Sequence, residues 1–279
     1  MVRPPSTTKR AIRRPLPAVA GAFSSILLLA LAVILSACAP PTEPALTTCP
    51  TPRGPAVERI PWKVGVVIPD GLGADRLAQS QALMVALVCD LQPDDSLIAV
   101  RENTFEVIVS AVVPGDRHLL AKAKECREVP VGGPSPECLV VAAAQRSLGE
   151  WREHVAETVA AIRLTNLQSA TGCASHSGWP REAITQLLLS LQPDHTGDSY
   201  SWLLVAGDAD ALSGGQPLTD LVRDIHVVVA PYVLACGNLA NLTAWFGGAR
   251  AIDLYPAESP ALRFPAFLRD RAHLAGVAS

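Results

Sequence analysis

The chain has 279 residues, with 23 basic against 26 acidic side chains and 5% aromatic residues. Five of the basic residues (Arg3, Lys9, Arg10, Arg13 and Arg14) lie in an acid-free leader, so the rest carries 18 basic against 26 acidic, a net of −8. An acidic, aromatic-poor domain argues against a nucleic-acid partner and against a polybasic grip on anionic lipid.

After the basic lead comes an uncharged run from Leu16 to Leu35, ending in Leu35-Ser36-Ala37-Cys38. A basic start, an apolar stretch and small residues at the exit form a secretory signal. The exit resembles the bacterial lipobox, with an aliphatic residue at −3, small residues at −2 and −1, and cysteine at +1. That resemblance implies lipidation of the Cys38 sulfur and removal of residues 1–37. The competing reading is an uncleaved transmembrane anchor, since the run is close to the ~20 residues a spanning helix needs. The cysteine's position favours the lipobox. In both readings the basic residues stay cytoplasmic and everything after Cys38 lies outside. The expected location is therefore the extracytoplasmic face of the cell membrane, where two or three acyl chains at about 0.8 kcal/mol per buried CH₂ make a lasting tether. Residues 38–61, rich in Pro and Thr, read as an extended spacer.

About 215 residues follow, the size of one α/β domain. Val64 to Ile68 (VGVVI) is an uninterrupted β-branched run, as expected of a strand buried on both faces. Pro69-Asp70-Gly71 makes a turn, and Asp75 to Leu91 has helical periodicity. Pro93-Asp94-Asp95 is a second turn. Ser96 to Arg101 and Phe105 to Val113 are strand-like runs joined only by Glu102-Asn103-Thr104, too short a link for anything but an antiparallel hairpin. Asp116 to Cys126, Glu137 to Arg163 and Pro180 to Leu191 are expected helices, the last with Pro in its first turn. Strands Trp202 to Ala206, Ile225 to Ala230 and Ala249 to Leu254 complete the pattern, with a helix over Asn238 to Phe246 between the last two. Alternating strands and helices predict a doubly wound, mostly parallel sheet with one antiparallel edge hairpin.

Six cysteines remain after Cys38, an even number that in an exported chain suggests disulfides, with fifteen pairings open. Cys126 and Cys138 flank a Pro/Gly-rich loop and are the expected local bridge. Cys173 and Cys236 lie in loops after expected elements, where one end of the sheet would bring them together. Cys89, within ALMVALVCDL, is expected as a buried thiol. The absence of C-x-x-C and the scatter of the histidines argue against zinc. Among the tryptophans, Trp202 and Trp245 are expected in the core, and Trp179, in a polar loop, is expected as an exposed contact.

From VGVVIPDGLGA through PDDSLIAV, GDRHLLAKA, WLLVAGDAD and DIHVVVAPYV to LTAWFGGARAIDLYPAES, the order of elements resembles a von Willebrand factor A-type domain. The resemblance covers most of Pro61 to Asp270, with residues 129–167 as an insertion in domain 62–279. It implies a Rossmann-like fold and a protein–protein interaction role. It also implies a metal site built on D-x-S-x-S, a Thr from another loop and an Asp after the central strand. Here Asp70 is kept, but Leu72 and Ala74 replace the two hydroxyls. Thr171 is the candidate threonine, and Asp208 or Asp210 the candidate later carboxylate, with Ala206 directly after the strand. A hard cation needs about six oxygens, so neither Mg²⁺ nor Ca²⁺ is expected, and Asp70 reads instead as a helix N-cap. No catalytic residue is expected. An envelope protein is the expected partner, met at the carboxyl ends of the strands.

Three other readings compete. VVIPDGLGADRL also resembles the first metal loop of alkaline-phosphatase-type phosphoesterases, with Asp70 as a ligand. Those need a nucleophile and further Asp and His ligands, and Asp194-His195 stands without a second cluster. G-x-S-x-G is absent, and Ser175-His176 reads as an exposed turn. A solute-binding lipoprotein would share the anchor and architecture but needs two lobes and a longer chain. The anchor is directly testable: cells fed radiolabelled palmitate should incorporate label into the wild-type chain and none into Cys38→Ala. Equal label in both refutes the lipobox reading.

Overall fold

The computed structural model describes residues 49, 59–68, 74–102, 104–127, 134–162, 179–193, 199–206, 218–230, 239–256 and 259–275. Six strands form one sheet: β1 (Trp62–Ile68), β2 (Ser96–Arg101), β3 (Val107–Val112), β4 (Tyr200–Val205), β5 (Ile225–Val229) and β6 (Ala251–Leu254), in the order β3-β2-β1-β4-β5-β6. All neighbours are parallel except β2 and β3, which form the expected antiparallel edge pair. The helices are α1 (Ala74–Asp90), α2 (Arg117–Ala121), α3 (Pro136–Ala160), α4 (Arg181–Leu191), α5 (Thr219–Val222), α6 (Leu239–Phe246) and α7 (Phe264–Leu274).

The sheet is sandwiched. Gly65 faces α4 so closely that a Cβ there would lie 2.6 Å from Leu191 Cδ1, and hydrogen in place of a side chain lets that helix settle on β1. The alternate positions of β1 (Trp62, Val64, Val66, Ile68) are buried on the opposite face, where α1, α3 and α7 pack together. Burial on both sides explains why β1, β4 and β5 read as continuous apolar runs and not as alternating ones.

The amino ends of the strands are tied by one carboxylate. Gln92-Pro93-Asp94-Asp95 is a turn with Asp94 at φ 72° and the Asp95 N–H donating to Gln92 O at 3.0 Å, the geometry of a type II turn with Pro at its second position. It drops Asp95 into a fully buried position. Asp95 Oδ1 accepts from Arg59 Nη1 (3.0 Å) and from the Trp62 N–H (2.8 Å). Oδ2 accepts from Arg59 Nη2 (2.6 Å) and the Gln92 N–H (2.7 Å). Arg117 Nη2 lies 3.4 Å from Oδ1, joining α2 to the same group. Burial pulls the Arg59 guanidinium below its ordinary value, while the Asp95 charge opposes that shift. Arg59 also stacks on Trp62, 3.6 Å from the ring centroid.

The expected helix over 116–126 is shorter than its pattern. Asp116 caps it, accepting from the His118 N–H (2.8 Å) and the Leu119 N–H (3.2 Å), but α2 tightens into a 3₁₀ turn over Lys122–Arg127, as helix ends often do. Cys126 and Cys138 are bonded as expected, with Cα atoms 5.3 Å apart. Cys89 corrects the buried-thiol expectation: it is bonded to Cys49, 40 residues earlier, so α1 is tied to the stretch preceding the sheet. Cys173 and Cys236 lie outside the described residues. Helix α3, in the expected insertion, packs on α1 and beside β3, and α7 had no counterpart in the sequence reading.

Removing the Asp95 carboxylate leaves a buried guanidinium and two backbone N–H groups without their acceptor. Asp95→Ala should lower the unfolding free energy by about 3–5 kcal/mol, read from the denaturant midpoint under oxidising conditions. A loss below roughly 1 kcal/mol would contradict the central place given to this group.

Candidate functional site

The parallel strands end together at one rim, and the main-chain ladder continues past their last residues. Glu102 N–H donates to Ile68 O (2.9 Å), Ala206 N–H to Val67 O (3.0 Å), Ala230 N–H to Val205 O (3.0 Å) and Tyr255 N–H to Val229 O (3.0 Å). Connections leave β1 toward β2 on one side, while β4, β5 and β6 step away on the other. The switch point lies between β1 and β4, and the carboxyl ends of the strands at such a point are where open α/β sheets take their ligands. Asp70 and Leu72 follow β1, and Asp208 and Asp210 follow β4. These residues, with Thr171 and Cys38, lie outside the described residues.

Glu102 was missed by the sequence reading, which placed it in a hairpin link. It is 1% exposed at the end of β2, hydrogen-bonded through its N–H to the last residue of β1, and its Oε1 accepts from Trp179 Nε1 at 3.2 Å. Trp179 corrects the expectation of an exposed contact: it is 4% exposed, edge-on to Phe105 at 5.7 Å and tilted against Phe246 at 6.5 Å. Phe105 has φ 51°, a left-handed conformation uncommon for a bulky residue, and its N–H donates to Arg101 O at 2.8 Å to close the hairpin link. Polar neighbours in sequence concealed this packing, because Trp179 finds its partner 77 positions away.

A second polar constellation lies toward the other end of the sheet, on the face covered by α7. Tyr200 of β4, His226 of β5 and Asp253 of β6 form a chain: Tyr200 Oη is 2.7 Å from His226 Nδ1, and His226 Nε2 is 2.6 Å from Asp253 Oδ2. Register explains the alignment. Trp202 pairs with His226 across β4–β5, and its ring stacks on the imidazole at 4.6 Å. A neutral imidazole with its proton on Nε2 donates to Asp253 and accepts from the Tyr200 hydroxyl, so both nitrogens are used. Burial lowers the His226 pKa, and the Asp253 carboxylate opposes the shift. Burial raises the Tyr200 pKa to about 12. Arg271 Nη1 lies 3.7 Å from Asp253 Oδ1, and the Arg250 guanidinium lies 5.0 Å from the Tyr200 ring.

Among the described residues, no three His, Cys, Asp or Glu side chains come together as a metal-binding group, and no helix is long and apolar enough to cross a membrane. Comparison with protein-family models matches the chain to no family, and comparison with curated proteins matches it to none.

His226 sets the sign of an acid dependence. Its folded pKa lies below the ordinary value of 6.5, so below about pH 6.5 the unfolded chain takes up a proton that the folded chain refuses. The stabilisation is therefore complete above that pH and lost as pH falls. Wild type should lose up to about 1.4 kcal/mol per pH unit more steeply than His226→Gln over this window, measured by denaturation at stepped pH. Parallel curves for the two proteins refute the assignment.

Proposed function

We propose that this chain is a lipid-anchored lipoprotein of the extracytoplasmic membrane face. Its von Willebrand A-like domain binds an envelope protein at the carboxyl rim of the sheet. The observation that carries the reading is the strand order: β1 and β4 lie side by side and parallel, and among the described residues the one antiparallel pair is the edge hairpin that the resemblance implies. Two disulfides, Cys49–Cys89 and Cys126–Cys138, fit an oxidising compartment outside the cytoplasm and support export. Mg²⁺ and Ca²⁺ have no part in this contact: Leu72 and Ala74 stand where the related site has hydroxyls, so an apolar side chain meets the partner.

The buried packing around Glu102 supports the same reading. Glu102 links the end of β1 to Trp179, which packs on Phe105, so the carboxyl end of β1 is held by buried contacts, and recognition is commonly built where a packed scaffold meets its loops.

A photoreactive phenylalanine analogue placed at Leu72 in intact cells should yield one discrete adduct with an envelope protein. The same analogue at Leu139, which is 57% exposed on α3, should yield none. Absence of an adduct at Leu72, or the same adduct from Leu139, would remove the rim as the binding face.

A further inference from the structure

Among the described residues, strand β3 ends the sheet on one side, and its sequence, VIVSAV, holds no charge, proline or glycine. Sheet edges left bare in this way invite pairing, and proteins commonly guard them with charge, proline or a covering element. The backbone register shows which groups face outward. Val113 N–H donates to Asp95 O at 2.8 Å, and Leu97–Ala111 and Ala99–Val109 stand in register two and four positions on. Bonded pairs alternate along an antiparallel ladder, so Val109 and Ala111 direct their main-chain groups to β2, while Ser110 and Val112 direct theirs away from the sheet. The ladder's irregularity falls between Ala99 and Val100, opposite the start of β3, leaving its second half regular.

The side chains sharpen the picture. Ser110 is in register with Ile98, and Ile98 with Gly65, so Ser110 and Val112 stand on the α4 face of the sheet, where α4 packs against β1. Val107 and Val112 are 55% and 66% exposed, and Ser110 is exposed between them.

We propose that β3 is a dimer contact, pairing antiparallel with β3 of a second copy of this chain about a two-fold axis at Ser110. The edge is its own complement there. Ser110 faces itself, Ile108 faces Val112 of the second copy, and the flanking acid Glu106 faces Pro114, so no like charges meet. Moving the axis to Val112 sets Ile108 against Asp116, and moving it to Ile108 sets Thr104 against Val112. Of these three, the Ser110 axis alone sets every apolar residue of the strand against another apolar residue and serine against serine, which selects a like strand over an arbitrary extended segment.

The test uses the full chain in its own membrane. Ser110→Cys should shift to twice the chain mass on a non-reducing gel after mild oxidation, above the wild-type background. Leu189→Cys, at a position 48% exposed on α4, should not. Adding Val112→Lys to Ser110→Cys should cut the dimer band roughly tenfold, since each copy then sets a charge against an apolar neighbour. No band from Ser110→Cys, or an equal band from Leu189→Cys, overturns the proposal. Those two arms decide the matter even where Val112→Lys fails to fold.

Discussion

Asp95 is, among the described residues, the group that joins the start of the sheet, the turn after α1 and helix α2. Its two oxygens accept from Arg59, the Trp62 N–H and the Gln92 N–H, and Arg117 approaches from α2. A buried ion pair is costly to desolvate, and here the cost is offset by backbone hydrogen bonds that saturate the carboxylate. With Trp62 fixed, β1 enters the sheet in a single register, and its partners β2 and β4 inherit that register.

From Trp62 the constraint passes along one face of the sheet. Trp62 meets Trp202 edge-on at 5.5 Å, Trp202 stacks on His226, and His226 reaches Asp253, which lies 3.7 Å from Arg271 of α7. Arg269 of the same helix pairs with Asp90 at the end of α1. The carboxyl-terminal helix thus clamps the first helix and the last strand together. His226 and Asp253 are paired within the row, whereas Trp202 Nε1 and Asp90 Oδ2 are buried without a hydrogen-bond partner among the described residues.

This division leaves the two ends of the sheet with different work. The amino ends carry the Asp95 ion pairs, whereas at the carboxyl ends Glu102, Trp179 and Phe105 pack together. Recognition at the carboxyl rim, as proposed, would lie at the opposite end of the strands from the Asp95 knot. A paired edge at β3 would lie apart from the switch point, with β2 between them, so association of two copies and capture of a partner would use separate surfaces.

The alternation of apolar runs and helical periods was enough to place all six strands and helices α1, α3 and α4, though not α7, since those patterns reflect local backbone geometry and burial on one or both faces. The turn at Pro93-Asp94-Asp95, the helix start near Asp116 and the bridge from Cys126 to Cys138 were legible for the same reason: their partners lie close in the chain. Sheet order is a long-range choice, and everything that depended on it was invisible. Only the assembled sheet set Glu102 beside Ile68, buried Trp179 against Phe105, joined Cys49 to Cys89 and aligned Tyr200, His226 and Asp253 across three strands. Sequence patterns report how each residue meets its near neighbours and the solvent; which distant side chain completes a hydrogen bond is decided when the strands pack.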